Sequence, residues 1–134
     1  MKAKITINAK LPGLNDYILD CRRNAYSGAQ TKRIAQELCM WCAKQQCKVK
    51  FKQPVRIHYV FFEPDRRRDK SNVAAFAVKI IEDALVKLQI IRDDGWKYIE
   101  NYTQSFKIDK EHPHIEVYIT DEWQEEDGNE SPKM

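Results

Sequence analysis

The sequence has few of the features that mark secreted, membrane-spanning or metal-stapled proteins. No apolar run approaches the roughly 20 residues that a transmembrane helix needs. The segment MKAKITINAKL alternates apolar and polar residues instead of forming the apolar block of a signal peptide. These absences lead us to expect a cytoplasmic globular protein. A length of 134 residues is enough for one domain with its own core.

Cysteine is also scarce, with residues at positions 21, 39, 42 and 47. Cys39 and Cys42 have a CxxC spacing, but the second pair that a structural zinc site uses is absent. Disulfides are rare in cytosolic proteins, so we expect reduced cysteines that are mostly buried. A zinc-binding regulatory domain built on these cysteines is the alternative.

Charge is distributed unevenly along the chain. The formal net charge is only +3, but residues 121–134 carry six acids and one base. Residues 1–120 therefore hold 22 basic and 14 acidic residues, a balance of +8. A basic body suits a polyanion, of which nucleic acid is the commonest, although a solvated basic surface is the alternative. We expect one domain over residues 1–120 and an acidic, disordered tail over residues 121–134.

Hydrophobic periodicity predicts a small α/β (α+β) domain. Period-two alternation predicts strands over residues 3–9, 55–62, 97–108 and 114–120. Helical spacing predicts helices over residues 31–46 and 72–88, the second capped by Ser71 or Asn72. The less regular segment 14–30 is expected to be a loop with a helical turn. The resulting order is β-α-β-α-β-β, a mixed sheet with packed helices.

Two short acidic stretches flank the second predicted helix. RRRDKSN, residues 66–72, sets three arginines beside Asp69, and RDDG, residues 92–95, supplies Asp93 and Asp94. Within the helix, Asn72, Lys79 and Asp83 share one polar stripe beside the apolar one. Carboxylates bind Mg²⁺, which activates water, and arginines hold phosphates. This combination is typical of metal-assisted phosphodiester cleavage, in which Lys79 would stabilise the phosphoryl charge.

Simpler interpretations of the same residues remain open. Asp69 could pair with its neighbouring arginines, residues 93–95 could be only a turn, and Lys79 with Asp83 could be a surface ion pair. The helix ends would also lie roughly 25 Å apart. Asp69 and Asp94 could then meet only if the chain after Leu88 runs back toward the helix start, or if two protomers complete one site.

The succession RRRDKSN, EDALVKLQII and RDDGWKYI resembles the RusA-like family of Holliday junction resolvases. LPGLNDYILDCRRNAYSGAQTK is similar to the amino-terminal segment of phage-type members, and the resemblance spans residues 5–120. It implies a homodimeric, Mg²⁺-dependent endodeoxyribonuclease, with Mn²⁺ as a substitute, that resolves four-way DNA junctions by paired symmetric nicks. It also implies a phage or prophage protein in the cytoplasm of a bacterial host.

The resemblance also implies roles for individual residues. The catalytic residues are Asp69, Asp94 and Lys79. The metal ligands are Asp69 and Asp94, supported by Asp93 and Ser71. The DNA-binding residues are Arg66, Arg67, Arg68, Lys70, Asn72, Arg22, Arg23 and Lys32. Asp83 and Leu85 match the D-x-L near the end of the helix.

One position departs from the family pattern. Ser71 stands where the D-x-D-N motif has its second acid, and a serine hydroxyl brings no charge to a metal. A second hypothesis is therefore a non-catalytic protein that binds branched DNA but has lost cleavage.

Overall fold

Alternating apolar residues build a four-stranded mixed sheet in a computed structural model, which describes residues 1–124. The elements are β1 Lys2–Ile7, α1 Leu14–Arg23, α2 Ala25–Gln46, β2 Val55–Glu63, α3 Lys70–Lys87, β3 Ile99–Ile108 and β4 His114–Thr120. The predicted small α/β domain with a mixed sheet is confirmed. Of the predicted acidic tail, residues 125–134 lie outside the described residues.

The sheet order is β1-β4-β2-β3, so the last strand is inserted between two earlier ones. β4 is antiparallel to both β1 and β2, whereas β2 and β3 are parallel and are connected by α3. One face of the sheet carries the buried side chains of the core, among them Ile5, Ile57, Tyr59 and Val117. The helices pack on this face, and β3 remains an edge strand.

The structure adds a third helix to the predicted order. The segment 14–30, predicted to be a loop, forms α1 and the start of α2, and α2 begins at Ala25 rather than at Thr31. Asn24 starts α2, because its side-chain oxygen accepts the backbone N–H of Ser27 at 2.7 Å. Gly28 permits the two helices to approach closely, since a Cβ there would lie 2.5 Å from the Cys21 sulfur.

The buried face of α2 consists of small residues. Ala35, Cys39 and Cys42 are buried, whereas Ile34 and Trp41, both part of the predicted apolar pattern, are 54% and 65% exposed. All four cysteines are free and three of them are buried, as expected. Burial raises the pKa of the Cys39 thiol to about 12. None of the helices within residues 1–124 is both long enough and apolar enough to cross a membrane.

α3 buries the predicted apolar stripe but starts earlier than expected. Val73, Phe76 and Ile80 are among its buried residues. Asp69, not Ser71 or Asn72, is the N-cap residue, and its backbone carbonyl accepts the N–H of Val73 at 3.0 Å. The Asp69 side chain makes no capping hydrogen bond, so its carboxylate is not used to start the helix.

Candidate functional site

An open groove follows the boundary between α3 and the edge strand β3. Its larger part, about 960 Å³, surrounds the start of α3 and is lined by Asp69, Ser71 and Phe106 among others. Its smaller part, about 420 Å³, runs along the middle of the helix and is lined by residues that include Ser71, Lys79 and Tyr102. Ser71 borders both parts, so we treat them as one surface, the α3–β3 groove.

The end of the groove near the start of α3 is rich in exposed cations. Arg66, Lys70 and Lys107 line it, and the residues described give Arg66 no ion-pair partner. The first backbone N–H groups of a helix and its dipole also favour an anion at this end. Asp69 is exposed at the same place and forms no ion pair with the arginines within residues 1–124. This end of the groove can therefore hold a phosphate.

Arg68, predicted to bind DNA, makes several contacts within the fold. Two of its guanidinium nitrogens donate to the two carboxylate oxygens of Glu63, both at 2.8 Å, and a third donates to the Leu11 carbonyl at 3.0 Å. Its side chain is only 16% exposed. These contacts tie the segment before α1 to the end of β2 and give Arg68 a structural role, and its DNA contact stays a prediction. Arg67 is 90% exposed and lies 3.7 Å from Asp65.

Asn72, predicted to contact DNA, also joins two parts of the fold. Its side-chain oxygen accepts the backbone N–H of Asn15 at 2.8 Å. Gly13 lies directly against it, since a Cβ on that glycine would be 2.8 Å from the amide nitrogen of Asn72. The half-buried amide therefore positions the start of α1 on α3, and its contact with DNA stays a prediction.

In the middle of the groove, Lys79 contacts two carboxylates. Its ammonium nitrogen lies 2.7 Å from Asp94 Oδ2 and 3.2 Å from Asp83 Oδ1. Asp94 arrives there because the chain turns back after α3, with Gln89 in a left-handed conformation at φ 59°. The chain that turns back reaches Lys79 but not Asp69. Asp69 lies ten residues before Lys79, or about 15 Å away along the helix axis.

The electrostatics of this cluster couple all of its members. The hydrogen bond from Lys79 lowers the pKa of Asp94, and the same bond, with that to Asp83, raises the pKa of Lys79. Glu82 lies beside them and its pKa is raised to about 7, mainly by burial and then by the charge of Asp94. The hydroxyl of the buried Tyr59 donates to Glu82 Oε2 at 3.4 Å.

Glu82 was not among the predicted site residues. The available signal was its position three residues after Lys79 between the buried Ile81 and Ala84, because an acid inside an apolar stretch of a helix is rarely fully solvated. With it, the cluster consists of one lysine and three acids, of which Lys79 and Glu82 line the middle of the groove.

Of the remaining predicted residues, Asp93 adjoins this cluster, whereas the basic residues of α1 and α2 do not line the groove. Asp93 is exposed, and its side chain accepts the backbone N–H of Asp94 at 2.9 Å. Arg22 and Arg23 are in the last turn of α1, and Lys32 is on α2. All three are exposed, and none of them lines the α3–β3 groove.

The predicted metal ligands do not converge in a single chain. Within residues 1–124, no three or more His, Cys, Asp or Glu side chains are arranged to hold one metal ion. Asp69 lies at one end of the groove, and Asp94 lies in the middle. The pair whose chemistry fits Mg²⁺ is Asp83 with Asp94, since this ion is often held by one or two carboxylates. The ammonium of Lys79 already lies between them, which marks the point as one that attracts a cation.

No protein-family model matches the chain, and no curated protein matches it. The function therefore has to be inferred from the groove and from the residues that line it.

Proposed function

We propose that this protein is a Mg²⁺-dependent, structure-selective endodeoxyribonuclease that acts on branched DNA such as four-way junctions. The observation that carries the proposal is the Lys79–Asp83–Asp94 cluster, whose lysine lines a groove with exposed cations at its other end. The resemblance of RRRDKSN and RDDGWKYI to the resolvase motifs supports the same conclusion.

DNA binding in this proposal depends mainly on backbone phosphates. Arg66 and Lys70 would neutralise phosphates at the start of α3. Such contacts release counterions and carry no sequence information, so affinity should fall steeply with salt and selectivity should follow DNA shape. The balance of +8 over residues 1–120 is consistent with a polyanionic substrate.

The chemistry is assigned to the middle of the groove. Mg²⁺, when held by Asp83 and Asp94, would lower the pKa of a bound water and offset charge on the phosphoryl oxygens. Lys79 would then be released from these carboxylates and would donate to the scissile phosphate. Glu82, with a pKa of about 7, is suited to accept a proton at its carboxylate near neutral pH and to return it.

A homodimer suits this substrate. Two symmetric sites can cut two symmetric phosphodiesters of a four-way junction, which gives paired nicks. A second protomer is also the remaining route by which the Asp69 carboxylate of one copy could approach Asp94 of the other.

A specific observation favours a second candidate, a branched-DNA-binding protein without cleavage. The ammonium of Lys79 already occupies the position between Asp83 and Asp94 and offsets one of their two negative charges, and Ser71 adds no charge to the groove. A protein with these features could keep the basic groove and the junction preference while binding no metal.

The decisive experiment is cleavage of a synthetic four-way junction with and without Mg²⁺, beside a linear duplex of the same sequence. Asp94→Asn should abolish cutting and leave junction binding intact. Asp109→Asn is the matched control, because Asp109 accepts a backbone N–H from His112 outside the groove and an asparagine oxygen can do the same. Circular dichroism should show that both variants are folded.

Each outcome of this experiment decides between the candidates. Paired nicks that require metal and Asp94 support the nuclease. Tight junction binding without nicks in Mg²⁺ or Mn²⁺ selects the non-catalytic candidate, and Ser71→Asp is then the variant in which to look for restored cleavage. Equal, weak binding to the junction and the duplex contradicts both.

A further inference from the structure

The sheet has a second face, which none of the helices described covers. Because Ile57 and Tyr59 on β2 point into the core, the alternating neighbours on the same strand point to the opposite side. The same alternation on the other strands turns Lys4, Lys107, His114 and Tyr118 to this side. We call this surface, with His58 and Phe62 at its centre, the outer sheet face.

Two pairs of aromatic rings lie on the outer sheet face. His58 on β2 is directly opposite Tyr118 on β4, with ring centroids 6.5 Å apart, and Tyr118 is 38% exposed. Phe62 is stacked on His114 at 4.1 Å with an interplanar angle of 9°. His58 and Phe62 are four positions apart on β2, or about 13 Å. The face therefore offers two flat rings or ring pairs along one line.

A cation accompanies each ring pair. The ammonium of Lys4 lies 5.5 Å from the centre of the Tyr118 ring, and that of Lys107 lies 5.8 Å from the centre of Phe62. Glu116 is the acid between the two pairs, and Lys4, whose ammonium lies 3.7 Å from it, offsets its charge. The net character of this part of the face is basic, which suits an anionic ligand.

A shallow cavity of about 450 Å³ opens at one end of the outer sheet face. Tyr118 and His58 supply aromatic walls and Asn101 supplies an amide, while Lys2 and Arg56 bring positive charge and Glu122 brings one negative charge. A stacking surface, polar groups for a base edge and a cation for a phosphate are what recognition of an unpaired nucleotide requires.

We propose that the outer sheet face binds single-stranded DNA, with bases stacked on Tyr118 and Phe62 and with phosphates beside Lys2, Lys4 and Lys107. The choice of DNA as the polymer rests on the proposed function, whereas the surface itself does not depend on cleavage. β3 is an edge strand that borders both this face and the α3–β3 groove. A strand that leaves a branch point in the groove can therefore cross this edge and continue on the outer sheet face.

The test measures binding of a fluorescein-labelled 20-nucleotide oligo(dT) to the full chain by anisotropy, in EDTA so that no cleavage occurs. Loss of one aromatic stacking partner costs about 1–3 kcal/mol per base, so Tyr118→Ala should weaken binding by about five-fold or more. Tyr118→Phe keeps the ring and should bind like the wild type. Tyr26→Ala removes a tyrosine that is 73% exposed on α2, away from the sheet, and should change nothing.

A second variant tests the charge contribution. Lys2→Gln should reduce the slope of log affinity against log salt concentration by about 0.7, the value for one phosphate contact to a single strand. Thermal melts of each variant should match that of the wild type, so that loss of binding is separated from loss of folding.

Several results would overturn the proposal. If Tyr118→Ala bound oligo(dT) with wild-type affinity, the Tyr118 ring would not be a stacking surface for bases. A dimer that dissociates in Tyr118→Ala, seen by sedimentation velocity, would make the face an interface between copies. Tenfold tighter binding to oligo(U) than to oligo(dT) would exclude DNA as the ligand. A protein that binds oligo(dT) through Tyr118 but never nicks a junction would refute the nuclease and leave this proposal standing.

Discussion

The ammonium nitrogen of Lys79 lies 2.7 Å from Oδ2 of Asp94, a residue fifteen positions further along the chain. This contact holds the turn that follows α3 against the middle of the same helix. It also makes Asp94 a neighbour of Asp83, which Lys79 contacts one helical turn away. The two acids are thus brought together by one shared cation.

A double-mutant cycle on Lys79→Met and Asp94→Asn should reveal this contact as a coupling in the free energy of unfolding. We expect about 0.5–1 kcal/mol at low salt, because Lys79 is 61% exposed and solvent screens the pair. The coupling, measured by urea denaturation, should shrink in high salt. Lys87→Met, which removes a lysine bonded only to the neutral Gln36, should show no coupling to Asp94→Asn. If the two single substitutions had additive effects on the unfolding free energy at low salt, the expected coupling would be contradicted.

Glu82 should make the stability of the protein depend on pH. Its pKa in the folded state is about 7 against an ordinary value of 4.5, so the folded protein retains a proton that the unfolded chain has already lost. Stability contributed by this group should therefore fall as the pH rises from about 4.5 to about 7, and then level off. Glu82→Gln should remove that fall. Once the fall of the wild type is complete, the unfolding free energy of the variant should exceed that of the wild type by about 1–2 kcal/mol, after allowance for partial solvation.

The measurement is the melting temperature of the wild type and of Glu82→Gln at several pH values across this range. Glu37→Gln is the matched control, since Glu37 is exposed on α2 and pairs only with Arg33. Parallel curves for the wild type and Glu82→Gln would show that the Glu82 pKa is not raised.

The arginine stretch should separate into structural and DNA-binding members. Arg68→Ala leaves Glu63 as a largely buried carboxylate without its guanidinium, so unfolding free energy should drop by about 3 kcal/mol. Arg66→Ala should leave stability unchanged within about 0.5 kcal/mol, because Arg66 is exposed, but it should weaken junction binding and lower its salt dependence. Denaturation curves and binding isotherms of both variants check this. Equal destabilisation by the two variants would be inconsistent with the structure.

Gln89 should be a site of easy stabilisation. It lies just after α3 with φ at 59°, a conformation that costs a side-chain-bearing residue about 1 kcal/mol and costs glycine little. Gln89→Gly should therefore raise the unfolding free energy by up to about 1 kcal/mol, as measured by denaturation. Gln45→Gly, the same change within α2, should lower it by about the same amount. Destabilisation by both variants would contradict the assignment of strain to Gln89.

Those parts of the fold with a strong local signal could be predicted from the sequence. β2 and β4 alternate cleanly, and α3 has a continuous apolar stripe, so their positions agree with the predictions to within a few residues. α1 and the start of α2 could not be predicted in the same way, because Asn24 and Gly28 resemble loop residues. Gly28 is in fact helical, and its lack of a side chain is required by the Cys21 sulfur of the adjacent helix. That requirement is tertiary and has no local signal.

The candidate site was only partly predictable for the same reason. The spacing of Lys79 and Asp83 is helical and local, so their proximity could be inferred from the sequence. The approach of Asp94 depends on how the chain turns after Leu88, and the burial of Glu82 depends on packing beside Tyr59. The roles of Arg68 and Asn72 depend on partners in distant segments, Leu11 and Asn15.

The position of β4 has a consequence for synthesis of the chain. β1 pairs only with β4, from Lys2 opposite Thr120 to Ile7 opposite Ile115. When the ribosome has translated the chain as far as α3, β1 has therefore been synthesised, but its hydrogen-bonding partner β4 has not. The nascent polypeptide must keep this apolar strand from pairing with other chains until residues 114–120 emerge. The sheet can be closed only after these residues have emerged, and the incomplete chain is the form on which chaperones and proteases can act.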